Sequence, residues 1–341
     1  MMEHLSGGTL DEEILQAEAS PLATPQPPKR GVHWIFIGAD GLRAGWGVLL
    51  FVVLFIGFGF LTAQVVKHLL PPSHHSAVFP LRLAFISEVA QMVPLLLATA
   101  IMALIERRSL LAYGYQGSAR AVRFLCGLVW GFVALSALVL VLWKAGLLAF
   151  DGVQLHGAAI WEYALGWGAL FLLVGIFEES TLRGYLQFTL TRGIGFWWGA
   201  LLLSGLFGFS HGTNPGETPV GLFGAAAVGL VFCLSLWYTG SLWWAVGCHA
   251  SWDWAESYFY GTSDSGLASQ GHLFGEHPTG PRLWSGGSTG PEGSLLVLAL
   301  LAVMALIMWL WWGRRVQSPV SGSGWRPAWS RKQPAEPLPV L

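Results

Sequence analysis

Leu170-Phe171-Leu172-Leu173-Val174-Gly175-Ile176-Phe177-Glu178-Glu179-Ser180-Thr181-Leu182-Arg183 runs from hydrocarbon straight into two acids and an arginine. The apolar part belongs to a stretch of about 20 residues, 161–181, long enough to cross a bilayer as a helix. An acid or base at a helix centre costs roughly 2.5–3.5 kcal/mol on insertion scales, so ionisable groups at that depth point to a functional site. Seven further stretches of similar character lie at about 44–66, 82–104, 124–147, 196–213, 220–238, 241–259 and 294–312. The expected fold is an all-α, polytopic membrane bundle of about eight transmembrane helices. The fourth helix is expected to continue beyond the membrane, because Leu182 to Leu190 keeps a helical pattern. The fifth to seventh, joined by short turns, are expected to be antiparallel neighbours.

Composition agrees with that class. Of 341 residues, 54% are hydrophobic and 11% charged, against about 25% charged in ordinary soluble domains. A net charge of −1 provides no basic field for nucleic acid. Cys126, Cys233 and Cys248 fall in apolar runs without metal-knuckle or disulfide spacing. Residues 1–42 and 313–341 read as flexible cytoplasmic tails around a membrane-embedded unit, 43–312. The first tail carries acids and then Pro21, Pro25, Pro27 and Pro28, unlike the basic-then-apolar order of a secretory leader. Placing both termini in the cytoplasm leaves only Lys67, Arg82, Lys144 and Arg282 of the 18 Lys and Arg on the other side. The expected location is therefore an integral, multi-pass protein of a bacterial-type cytoplasmic membrane. Residues 260–293 form a long external loop in which His272, Glu276 and His277 offer a weak metal-ligand pattern.

Three polar clusters stand out. Glu179 and Arg183 are four apart on a helix and can pair, while Glu178, about 100° around, points elsewhere. Phe207 and His211 share a face of helix five by the same spacing. His249 and Asp253 do so on helix seven, where a carboxylate one turn away can orient an imidazole. Taken alone, each cluster also fits a structural pairing at a helix end. Taken together, they compose a water-activating site of two kinds. In one, Glu178, His211 and His249 hold a divalent metal, zinc being the usual choice for such ligands. In the other, Glu178 and His211 activate water without metal, and His249 with Asp253 supports an oxyanion. Without a Gly-x-Ser-x-Gly elbow, Ser180 and Ser210 make a poor case for a serine nucleophile.

The order Glu-Glu-x-x-x-Arg, Phe-x-x-x-His and His-x-x-x-Asp resembles the CPBP family of type II CAAX prenyl endopeptidases and bacteriocin-processing or abortive-infection membrane proteins. The resemblance covers about residues 160–256 and rests on Glu178, Glu179, Arg183, Phe207, His211 and His249. Asp253 stands where that family usually has Asn. The resemblance implies an intramembrane endopeptidase acting on a membrane-associated peptide or protein, prenylated at a CAAX tail in one branch. It assigns catalysis to Glu178, His211, His249 and Asp253, with Glu179, Arg183 and Phe207 supporting the site. Two other classes fit the same residues. One is a non-catalytic immunity or scaffold protein of that family; the other is a proton-coupled transporter, against which the missing internal repeat counts.

Overall fold

The computed structural model describes residues 33–38, 41–69, 78–117 and 119–313, so almost all of both proposed tails lies outside the described residues. Among the described residues, nine helices of eight residues or more build the bundle. They are α1 (Ala44–Leu69), α2 (Leu81–Glu106), α3 (Arg120–Lys144), α4 (Ala158–Glu179), α5 (Gln187–Ile194), α6 (Phe196–Ser210), α7 (Pro219–Thr239), α8 (Trp243–Asp253) and α9 (Leu295–Met308). Among the described residues, six spans are long and apolar enough to cross a membrane: 44–68, 81–106, 120–144, 158–194, 219–239 and 295–313. The fourth is the extended one, since a π-helical turn, Ser180–Leu186, carries α4 into α5. Stretches five and seven fold shorter, as the 15 residues of α6 and the 11 of α8, the latter continued by a π turn, Trp254–Tyr260. The outward faces of α1 and α3 carry exposed Leu49, Val53, Ile56 and Phe60, and Val122, Val129 and Val133, as a lipid solvent requires. This is an all-α membrane bundle.

Local sequence explains the helix ends. Thr218 accepts a hydrogen bond from the Gly221 amide, and Pro219 fills the first position of α7, where a missing N–H costs nothing. Gly240, at φ 63°, closes the same helix in the left-handed conformation that glycine adopts freely.

Helix α8 does not pair chiefly with α7, as the short turn between them suggested. It packs mainly on α3 and α4. Small residues decide this. A Cβ on Gly127 would collide with the Trp244 carbonyl, one on Gly131 with the Cys248 carbonyl and Ser251 Oγ, and one on Gly247 with the Phe124 carbonyl. The Gly127-x-x-x-Gly131 face thus lets two backbones touch, the usual means of close helix contact in lipid. Gly175 on α4 does the same more loosely, since a Cβ there would come within 3.1 Å of the Val246 carbonyl. The chain thereby sets the His249 helix against two partners far away in sequence.

The bundle has two unlike ends. At one, Glu106 accepts hydrogen bonds from Arg192 (2.7 Å), Tyr185 (3.1 Å) and Tyr113 (3.4 Å), tying α2 to α5 near Arg107 and Arg108. Burial first, and then Glu106, push the Tyr113 phenol up, so it stays a donor. At the other end, residues 260–293 are ordered rather than loose. β2 (Phe274–Pro278) pairs antiparallel with β1 (Leu148–Val153), Phe150 opposite Glu276, and the Thr279 amide donates to the Leu147 carbonyl. The weak metal pattern resolves otherwise here. His277 Nδ1 lies 2.9 Å from Asp151, and His272 Nδ1 contacts the Ser269 carbonyl.

Candidate active site

Helices α4, α6, α7 and α8, together with α2, enclose a cavity of about 410 Å³. Glu178, Phe207, His211, His249 and Asp253 all line it, so three clusters spread over 76 residues meet at one place.

Arg183 and Glu179 are both fully buried and pair at 3.0 Å, Nη1 to Oε1. The guanidinium sits 4.7 Å from the Phe207 ring centroid and 5.7 Å from that of Phe232, with Nε and Nη2 unbonded. Aromatic faces attract a cation there in place of further acceptors. Arg183 is a core residue and so takes no part in the lysine and arginine asymmetry between the two sides.

Glu179 Oε1 also receives His249 Nδ1 at 3.0 Å. A carboxylate oxygen accepts, so Nδ1 carries the proton and Nε2 is the nitrogen turned toward the cavity. The imidazole is stacked on Phe232 at 5.4 Å and edged by Phe207 at 6.1 Å. Its Nε2 lies 3.5 Å from Glu178 Oε2 and 3.6 Å from Asp253 Oδ2, outside good hydrogen-bond length for either. Glu178 is the more open of the two acids, its side chain 27% exposed against 9% for Asp253.

His211 is oriented by the same logic. Its Nδ1 lies 2.8 Å from the Phe207 carbonyl, which can only accept, so Nδ1–H donates and Nε2 keeps a free lone pair. The Phe207 ring packs edge-on at 4.7 Å and limits rotation.

The backbone around these residues is adapted as well. The π turn after α4 begins one residue past Glu179, and the one after α8 one residue past Asp253. Such widened turns gather at functional sites, where they re-aim the preceding side chains. Gly184 leaves the helical region altogether (φ −79°, ψ −120°).

The metal reading needs Glu178, His211 and His249 to gather ligand atoms. They do not, for among the described residues the group whose ligand atoms all come within 4.8 Å is Glu256, Asp264 and Glu292. The sequence-predicted trio therefore does not fit a closed metal sphere as it stands.

Sequence reasoning missed Glu88. It is 7% exposed on α2, lines the same cavity and accepts a 3.3 Å hydrogen bond from Gln91. The signal was present: an acid with Gln91 three residues on, inside an apolar span. Asn214, whose amide donates to the Ser265 carbonyl at 2.8 Å, closes the far rim. Asp264 and Glu292 line that rim too, and burial, reinforced by Glu292, pushes Asp264 up to about 7.

Among curated proteins and among solved structures, none matches this chain. A family model does match, over residues 160–255, and it is that of the Rce1-like type II CAAX prenyl endopeptidases. The matched segment begins in α4, ends just past Asp253 and so holds all three clusters, and over that segment the match supports the resemblance to the CPBP family.

Proposed function

We propose that this integral membrane protein is an endopeptidase that cleaves a membrane-associated peptide or protein, with a prenylated CAAX-type tail as one substrate class. Glu178 is the general base. It is more open than Asp253 and lies next to His249 without a hydrogen bond of its own to an arginine or lysine among the described residues. In this reading Glu178, assisted by His211 Nε2, takes a proton from water as the water oxygen attacks the scissile carbonyl carbon. The tetrahedral oxyanion is met by His249 Nε2–H, the imidazolium being held by Glu179. Collapse breaks the C–N bond, and the proton taken from water passes to the leaving amine. Glu179 and Arg183 are positioning residues. No step is routed through a metal.

The observation that carries the proposal is the orientation of the two imidazoles. Two independent acceptors, the Phe207 carbonyl and Glu179, fix both imidazoles with Nε2 toward one cavity that also holds Glu178. We further place both termini in the cytoplasm, because Arg43, Arg107, Arg108, Arg120 and Arg123 cluster about the end of the bundle opposite the 260–293 segment.

The test compares protein termini in membranes of cells carrying the wild-type chain or Glu178→Gln at matched expression. New termini found only with wild type are the expected result, with Glu178→Gln folding and melting like wild type. Identical termini in both, on an exhaustive peptide survey, overturn the assignment and favour a binding or immunity role. Proton-coupled flux in liposomes that is lost with His211→Ala would favour transport.

A further inference from the structure

A second group of acids lies outside the reaction just described. Glu256 sits in the π turn that continues α8, while Asp264 and Glu292 stand near the two ends of the 261–294 connection. One carboxylate oxygen from each comes within 4.8 Å of the others. Glu256 is fully buried, and its Oε1 has no hydrogen-bond partner. That oxygen is aimed at the gap between the other two segments. A Cβ on Gly290, itself at φ 100°, would come within 3.1 Å of it and collide with the Ser263 carbonyl.

The available donors do not neutralise three carboxylates. A single Trp252 Nε1–H faces both Glu256 Oε2 (3.0 Å) and Glu292 Oε1 (2.8 Å). Ser257 donates to Asp264 Oδ2 at 3.1 Å and Ser265 to Glu292 Oε2 at 2.7 Å. Among the described residues no lysine or arginine pairs with any of the three. Buried charges are ordinarily paired or bound to metal, and an orphaned carboxylate oxygen is costly.

We propose that Glu256, Asp264 and Glu292 form a binding site for a hard divalent cation, calcium in the first place. Carboxylate and carbonyl oxygens suit such ions, and calcium takes six to eight of them at about 2.3–2.6 Å in flexible geometry. Magnesium demands a near-ideal octahedron and holds its waters, so three carboxylates on separate segments suit calcium better. The ion would staple both ends of the 261–294 connection to the helix that carries His249 and Asp253. Asp264 and Glu292 border the same cavity, but the site uses neither Glu178 nor His211, and it does not depend on the chain being a protease.

The full-length protein in detergent micelles, stripped with a chelator, is titrated with terbium while tryptophan is excited. Trp252 touches two of the three ligands and should sensitise the lanthanide. The expected result is saturable emission displaced by calcium better than by magnesium, with a calcium-dependent rise in melting temperature. Glu256→Gln should weaken calcium by on the order of 100-fold, and Glu178→Gln should leave the titration unchanged. If Glu256→Gln does not fold, the half-buried Asp264→Asn serves in its place. The proposal is overturned by three results: no displaceable emission with no thermal response; a response that survives Asp264→Asn; or one abolished by Glu178→Gln, which would put the ion in the catalytic cavity.

Discussion

Replacing Glu179 by alanine tests the frame of the site more sharply than any change to the acids that face the cavity. Glu179 and Arg183 are both 0% exposed, and Oε1 of the acid holds two donors, Arg183 Nη1 and His249 Nδ1, each at 3.0 Å. Alanine leaves a guanidinium buried among Phe207, Phe232 and the Gly229 backbone with no anion beside it. Removing one partner of a buried ion pair costs about 3–5 kcal/mol. By the scaling of large domains, this lowers the melting temperature by on the order of 10 °C. Glu178→Gln, at a partly open side chain without a strong hydrogen bond, should stay within about 1 kcal/mol of wild type. Equilibrium unfolding in mixed micelles would read both variants alongside Arg183→Met and the double variant Glu179→Ala/Arg183→Met. Removing both charges together should recover much of the loss, with a coupling of at least about 2 kcal/mol. Additive effects in that cycle, or a Glu179→Ala protein as stable as Glu178→Gln, would refute the buried-pair reasoning.

Two further outcomes follow from the packing and the ionisation of other residues. Gly131→Val should separate α3 from α8, because a side chain there collides with the Cys248 carbonyl and Ser251 Oγ. We expect a loss of about 2 kcal/mol or more, read by thermal melting, and cleavage lost with it because His249 rides on α8; wild-type behaviour would mean the helices are not in backbone contact. Glu276 lies opposite Phe150 in the β1–β2 pair, and burial pushes it up to about 7, with His277 opposing and Asp151 adding. A raised acid binds its proton more tightly folded than unfolded, so its contribution is full below about pH 4.5 and lost as pH rises through about 7. Melting curves across that window should flatten in Glu276→Gln, and an unchanged slope would place Glu276 in solvent.

Much of this was legible in the chain, for physical reasons that differ by element. The long apolar helices α1, α2, α3, α7 and α9 follow from length and composition alone, as lipid demands internal backbone hydrogen bonding. The Glu179–Arg183 pair follows from helical spacing. The partner of α8 was not legible, because it depends on glycines of α3 more than a hundred residues earlier, and periodicity within α8 does not see them. Nor was the bond from His249 to Glu179. It exists only because α4 and α8 approach at Gly175, and it makes Glu179 the partner of the histidine as well as of the arginine. Glu256 carries no sequence signal of its own, because it stands three residues past Asp253 while its two companions lie in a stretch rich in Gly, Ser and Pro.

Asp253 is where the tautomer argument makes its hardest commitment. The related family usually has asparagine at this place, and an ionised carboxylate beside an oxyanion would repel it. The distances separate two roles. If Asp253 oriented His249, it would do so through a hydrogen bond, but it lies 3.6 Å from Nε2, whereas Glu179 already holds Nδ1 at 3.0 Å. Orientation is therefore supplied from the other side of the ring, and Asp253 is left facing the same space as Glu178. Asparagine there keeps the shape, removes one negative charge and adds an N–H that can donate to a developing oxyanion. Asp253→Asn should consequently retain cleavage within about tenfold of wild type, or exceed it, and should retain thermal stability. Removing a catalytic base or an oriented histidine costs far more, on the order of 100-fold or beyond. If Asp253→Asn is as inactive as Glu178→Gln in a terminus-mapping assay, while still folded, then Asp253 must be the ionised partner of His249. The oxyanion role given to His249 Nε2–H would then have to be abandoned.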